Sequence, residues 1–152
     1  MIKGVKMKIE NYLKKICNVR EFEDKDIDDD LLKEILGVAK KTSSTANVQP
    51  WEIIVVRKNK EKIVDCTLDP LLRNDKDSKQ KWILDIPIAL LVCIDKKRAK
   101  VRFGNIGENL FAIQDASILI QNIRLKAIEK GLSTCLLREL DFEKLRKKFD
   151  MP

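Results

Sequence analysis

Residues 107–130 read Gly-Glu-Asn-Leu-Phe-Ala-Ile-Gln-Asp-Ala-Ser-Ile-Leu-Ile-Gln-Asn-Ile-Arg-Leu-Lys-Ala-Ile-Glu-Lys, and Gly131 follows. Apolar residues recur through this run at helical spacing, which predicts a helix roughly 36 Å long at 1.5 Å per residue. Its middle, Ala116-Ser117-Ile118-Leu119-Ile120, is apolar nearly all round and is expected to be buried in the core. Gly131 stands where a left-handed residue closes a helix. Such a helix needs covering, and the flanking sequence supplies strands. Pro87 to Ile94 is a continuous apolar run, as in a strand covered on both faces. Trp51 to Val56 is β-branched and mostly apolar, and Leu132 to Leu137 reads as a third strand.

Shorter helices are expected around these. Met7 to Ile16 places Ile9, Tyr12, Leu13 and Ile16 on one face. Leu31 to Ala39 follows Asp28, Asp29 and Asp30, with Lys40 and Lys41 at the opposite pole, the charge order that suits a helix dipole. A charged turn at Arg57 to Lys62 leads into a short helix. Asp69-Pro70 opens another toward Trp82, and Asp141 caps a last one through Phe149. No internal repeat, linker or low-complexity segment interrupts the chain. The expected fold class is α+β: one domain over residues 1–152, with a central mixed β-sheet of few strands flanked by helices around the long central helix.

The chain has 152 residues, enough for one domain with a real core. It contains no histidine, which excludes Ser-His-Asp and Cys-His nucleophile systems and His-ligated zinc. The five glycines, at 4, 37, 104, 107 and 131, cannot form a Gly-x-Gly-x-x-Gly or Walker loop. The cysteines at 17, 66, 93 and 135 contain no Cys-x-x-Cys pair, so no metal site is expected; they read as reduced thiols in a cytoplasmic protein. Asp26, Asp28 and Asp30 hint at a calcium loop, but Leu31 and Gly37 stand where that loop needs Gly and Glu. No apolar run reaches the ~20 residues of a membrane span. The net charge of +7 comes from interleaved Lys, Arg, Asp and Glu, and aromatics make up only 5% of the chain. Neither nucleic acid nor membrane is therefore an expected partner.

Three features carry chemistry. The polar stretch Ser43-Ser44-Thr45-Ala46-Asn47-Val48-Gln49 before Pro50-Trp51 offers small donors and acceptors that suit the edge of a planar heterocycle, or satisfy their own turn. Arg20, two residues beyond Asn18, suits a phosphate, or an ion pair with Glu21, Glu23 or Asp24. Gly131-Leu132-Ser133-Thr134-Cys135-Leu136 turns from helix into strand and presents backbone N–H groups that stabilise negative charge.

In this order the three features resemble the nitroreductase-like FMN-dependent oxidoreductases. Asn18-Val19-Arg20-Glu21-Phe22 is similar to that family's Ser-Val-Arg-x-Phe. Ser43 to Trp51 is similar to its Pro-Ser-x-x-Asn-x-Gln-Pro-Trp. Ile86-Pro87 with the following strand, Gln114-Asp115-Ala116-Ser117 through Gln121-Asn122-Ile123, and Gly131 to Cys135 extend the similarity from about Lys14 to Leu137.

The resemblance implies a homodimer with FMN in a crevice at the subunit interface. Asn18 and Arg20 would serve the phosphate and ribityl end. Ser43, Ser44, Thr45 and Asn47 would face the flavin from the partner subunit. Leu136, Leu137 and Arg138 would lie near its N5 and O4, and Lys79, Gln80 or Lys81 would add a ribityl contact. It implies hydride transfer from NAD(P)H, through the flavin, to an oxidised acceptor such as a nitroaromatic or quinone. No catalytic nucleophile of the protein is needed.

The sequence departs from the pattern in three places. Ile16 and Cys17 stand where two arginines usually precede the first motif, and Ser43 replaces a proline. The sequence ends at Asp150-Met151-Pro152, where the family continues into a further strand and tail. The expected effect is a looser dimer and a weaker grip on FMN. The alternative function is a catalytically impaired flavin-binding or scaffolding relative.

Overall fold

A computed structural model of the chain describes residues 8–23, 25–68 and 79–151. The order of elements is α1 (Ile9–Leu13), α2 (Asp29–Leu36), β1 (Trp51–Val56), α3 (Glu61–Val64), β2 (Ala89–Ile94), α4 (Lys96–Ile106), α5 (Ala112–Glu129) and α6 (Phe142–Lys148), with 3-10 turns at Gly37–Lys40, Thr45–Asn47 and Lys81–Leu84. Helices plus a small sheet make the fold α+β, as expected.

The sheet is smaller than the expected mixed one. Among the described residues β1 and β2 form a two-stranded sheet, with the end of β2 beside the start of β1, where Asp95 N donates to Pro50 O at 3.1 Å. Leu132 to Leu137 is not a strand. A strand exists only where a neighbour offers a row of free backbone groups, and pairing begins later in the chain. Thr67 and Leu140 form an isolated antiparallel bridge, Leu68 N donates to Glu139 O at 2.9 Å, and Asp141 N donates to Cys66 O at 2.8 Å.

The chain's contacts fall into two compact units. The first comprises residues 8–18, 28–54 and 92–134. Within it α1 and α2 pack on α5, whose buried residues Ala112, Asp115, Ala116, Leu119, Ile123 and Ala127 form one stripe at helical spacing. Burial all round α5 does not occur: Ile113 and Ile118 are 43% and 44% exposed. The expected single helix from Gly107 is also modified. Gly107–Phe111 is a π-helical turn leading into α5, and the helical run of α4 before it breaks at Gly104, with φ +61° and ψ −146°. That backbone position favours glycine. A Cβ at Gly107 would lie 2.4 Å from Ala99 O, so the helices pack backbone to backbone there.

Asp28 caps α2 by accepting from Leu31 N at 2.7 Å, as its acidic approach predicts. Helix α1 is shorter than expected and buries nothing; its N-cap is Lys8, whose side chain caps no backbone N–H. Helix α4 has no counterpart among the expected elements.

The second unit comprises residues 19–23, 25–27, 55–68, 79–91 and 135–151. Val56, Ile63, Val64, Cys66, Ile83, Ile86, Leu91 and Leu145 are its buried apolar residues. Helix α6 is capped by Asp141, which accepts from Lys144 N at 2.9 Å. In β2 only Leu91 is fully buried, so the strand is not sealed on both faces. The helix expected from Asp69-Pro70 falls largely outside the described residues.

Candidate functional site

The polar stretch before β1 is a built loop. Buried Thr42 ties its start: Thr42 Oγ1 donates to Val38 O and accepts from Asn122 Nδ2, both at 2.9 Å. Asp115, only 5% exposed, holds its middle, accepting from Thr45 N at 2.9 Å and Thr45 Oγ1 at 3.2 Å. Ser44 Oγ accepts from Gln49 N at 2.8 Å. Arg98 donates to Gln49 O at 3.3 Å while its guanidinium pairs with Glu52 and Asp95 at 2.7 and 2.9 Å.

So fastened, the loop sustains left-handed backbone at Ala46, Asn47 and Gln49, with φ of +48°, +56° and +47°. Such conformations in non-glycine residues cost on the order of 1–3 kcal/mol each and persist where surrounding contacts over-determine them. Ser43 and Asn47 are exposed, whereas Ser44 and Thr45 are half-buried with their hydroxyls committed within the unit.

Asn18 belongs to the same unit. Its Oδ1 accepts from Arg124 Nη2 at 3.2 Å, and the same nitrogen donates to Cys17 O at 3.3 Å. Arg124 Nε donates to Thr134 Oγ1 at 3.2 Å. One guanidinium thus fastens the first motif to the residue that follows the Gly131 turn, and Gly131 adopts the expected positive φ, +79°.

The other candidates lie in the second unit. Arg20 is exposed and makes no ion pair among the described residues, so the pairing with Glu21 or Glu23 does not form. Phe22 stacks on Trp82 with centroids 6.1 Å apart, which gives the aromatic of the first motif a structural task. Gln80 Oε1 accepts from Trp82 Nε1 at 3.2 Å. Lys79 Nζ is spent on Asp65 O and Thr67 O, at 3.0 and 2.9 Å. Lys81 is exposed at the start of its 3-10 turn. Leu136 and Leu137 are half-buried and Arg138 is exposed.

Electrostatic perturbation lies in structural ion pairs. Hydrogen bonds from Lys130 and then Lys126 hold the Glu34 carboxyl below its usual range, and Lys148 does the same to Asp65. Burial pushes the Cys66 thiol up; burial and then Glu52 do so at Cys93, so neither is an activated nucleophile. Among the described residues no group of His, Cys, Asp and Glu is placed to hold a metal ion, and no helix is long and apolar enough to cross a membrane.

A family model described as the nitroreductase family matches residues 18–152. The chain belongs to the nitroreductase family. It is 30% identical over 129 residues to a protein of Methanothermobacter thermautotrophicus (strain Delta H) whose provisional name is NADH dehydrogenase/NAD(P)H nitroreductase. That match takes in 84% of this chain and 59% of the relative, so the chain spans a little under three fifths of the curated relative's length. A nitroreductase family protein of Clostridium novyi NT superposes with a TM-score of 0.80 at 22% identity, over 96% of this chain and 78% of that one. An FMN-dependent nitroreductase of Clostridium difficile R20291 does so with a TM-score of 0.71 at 25% identity, over 95% and 79%. A nitroreductase from Desulfovibrio desulfuricans, solved in complex with FMN, has a TM-score of 0.77 at 16% identity, over 97% and 78%. The nitroreductase-like fold is thereby established.

Asp115 and Arg124, which do most to position the motifs of this nitroreductase-family chain, were not among the candidate site residues read from the sequence. Asp115 had a signal, since a carboxylate on the apolar stripe of a buried helix must find a partner. Arg124 had none.

Proposed function

We propose that this nitroreductase-family chain is an FMN-dependent oxidoreductase that draws electrons from NAD(P)H and passes them to an oxidised acceptor of nitroaromatic or quinone type. The observation that carries this reading is the loop from Ser43 to Gln49: a strained segment fastened at Ser44, Thr45 and Gln49 that leaves Ser43 and Asn47 exposed, in a chain matched to the family over residues 18–152. The donor set fits FMN. Ser43 and Asn47 suit the edge of a planar heterocycle, while Asn18 and the exposed Arg20 suit its ribityl phosphate end. Gln80, whose carbonyl is engaged by Trp82, keeps its Nε2 for a ribityl oxygen. The assignments of Arg20, Gln80, Leu136, Leu137 and Arg138 rest on sequence similarity.

When bound, FMN supplies the hydride chemistry. The chain's own part is to bind and orient. Asp115 keeps Thr45 and its neighbours from relaxing, so the loop loses little freedom on binding. By the family resemblance, backbone N–H groups near Leu136 and Leu137 would favour negative charge on the flavin.

A homodimer belongs to the same proposal. Val101, Ile106, Leu110, Ile113 and Ile118 are 90%, 53%, 45%, 43% and 44% exposed, an apolar set that a partner subunit would cover. Four cysteines that form no disulfide among the described residues suit a reducing, cytoplasmic compartment.

The visible spectrum of the purified chain, with and without added FMN and then with NADH or NADPH, tests this reading. A flavin band that bleaches with either nucleotide supports it. A chain that takes up no FMN refutes it in favour of a scaffolding relative, and one that binds FMN but is never reduced limits it to flavin binding. Light scattering that finds a monomer retaining FMN removes the dimer.

A further inference from the structure

Arg124 is half-buried, and among the described residues no carboxylate lies within ion-pairing distance of it. The contrast with its own helix is plain: on α5, Lys126 pairs with both Glu34 and Glu129. A guanidinium drawn out of water is normally matched to an anion. Here three neutral acceptors hold it instead: Thr134 Oγ1, Cys17 O and Asn18 Oδ1, at 3.2, 3.3 and 3.2 Å. They engage Nε and Nη2. Nη1, with two N–H donors, makes no hydrogen bond among the described residues. The charge is therefore fixed in direction, partly desolvated and uncompensated, and it lies beside Asn18. A rigid fork with spare donors suits the dianion of a phosphate monoester better than a lone carboxylate, because it can donate to more than one oxygen.

We propose that Arg124 is a phosphate-binding residue of this chain, reading the terminal phosphate of FMN from α5. Its clamp on Cys17 and Asn18 presents the start of the first motif to the same phosphate. This assignment rests on the flavin reading above and adds a discrimination: the chain should prefer FMN to riboflavin, which carries no phosphate.

The test is titration of the 152-residue apo-protein with FMN and with riboflavin, followed by quenching of flavin fluorescence. The wild type is expected to bind FMN at least about tenfold more tightly than riboflavin. Arg124→Leu should abolish that preference, lowering FMN affinity by far more than riboflavin affinity, and Arg124→Lys should restore part of it. If Arg124→Leu does not fold, Arg124→Gln, which keeps donors for Thr134 and Asn18 but carries no charge, takes its place with the same expectation. A variant that weakens both flavins alike makes Arg124 a structural clamp and overturns the proposal. So does a neutral variant that keeps the preference for FMN. A wild type that binds both flavins equally refutes the role of Arg124 while sparing the flavin reading, and a wild type that binds neither removes both.

Discussion

The buried carboxylate of Asp115 accepts two hydrogen bonds from one residue, Thr45 N at 2.9 Å and Thr45 Oγ1 at 3.2 Å, seventy positions earlier in the chain. This pair joins the central helix to the loop that carries the second motif. Asp115→Ala should leave a half-buried N–H and hydroxyl of Thr45 unpaired and cost about 1–3 kcal/mol. Urea denaturation measures that loss. Faster amide exchange confined to residues 43–49 would show that the loop is what loosens. Unchanged exchange there would mean the loop stands without Asp115.

Gly107 and Gly37 should respond in opposite senses to the same change. A Cβ at Gly107 meets the Ala99 carbonyl oxygen at 2.4 Å, and this is backbone that cannot swing aside. Gly107→Ala should therefore destabilise by about 1–3 kcal/mol. Gly37 lies in a helical turn with φ −57°, and its Cβ would meet nothing within 4 Å. Gly37→Ala should stabilise by about 0.4–1 kcal/mol through the unfolded state. Equal denaturation midpoints for the two variants would contradict the packing of α4 on the π-helical turn.

Stability should fall on acidification. The folded-state pKa of Glu34 lies below its ordinary value of 4.5 because Lys130 and then Lys126 hydrogen-bond it, and that of Asp65 lies below 3.8 because Lys148 does. A lowered folded pKa gives stability that is present above the unfolded value and is lost as pH drops through the folded one. Melting temperature should thus decline below pH 4.5, and Glu34→Gln with Asp65→Asn should flatten that decline. Both carboxylates are about half exposed, so added salt should shrink the difference.

Arg20→Ala should weaken FMN binding by about 1–3 kcal/mol without altering the denaturation midpoint, because the side chain is exposed and unpaired among the described residues. Isothermal titration calorimetry alongside urea melts separates the two effects. An unchanged affinity would take Arg20 out of the site.

Legibility in the sequence followed the locality of the forces. Asp28 and Asp141 were readable as caps because a cap is satisfied within three residues, and Gly131 because its φ is set by its own lack of a Cβ. Strand β1 was readable from β-branched composition. Leu132 to Leu137, Leu-Ser-Thr-Cys-Leu-Leu, reads as a strand and is not one, since pairing depends on a distant neighbour that composition does not report. Helix α4 escaped notice because its cations carry no apolar stripe; Ala99 alone is buried along it. Of the site, the exposed polar residues of the loop were visible as types. The long-range ties that shape it, from Asp115, Asn122, Arg98 and Arg124, were not, because each joins segments tens of residues apart.

Asp115, Asn122 and Arg124 all act from α5, on Thr45, on Thr42 and on Asn18 with Thr134. One residue inserted between Asp115 and Asn122 would rotate everything beyond it by about 100° and advance it by about 1.5 Å. Two of the three ties would then point elsewhere while the first held. The count of residues from Asp115 to Arg124 therefore behaves as a fixed gauge, set by the pitch of the helix that carries all three ties.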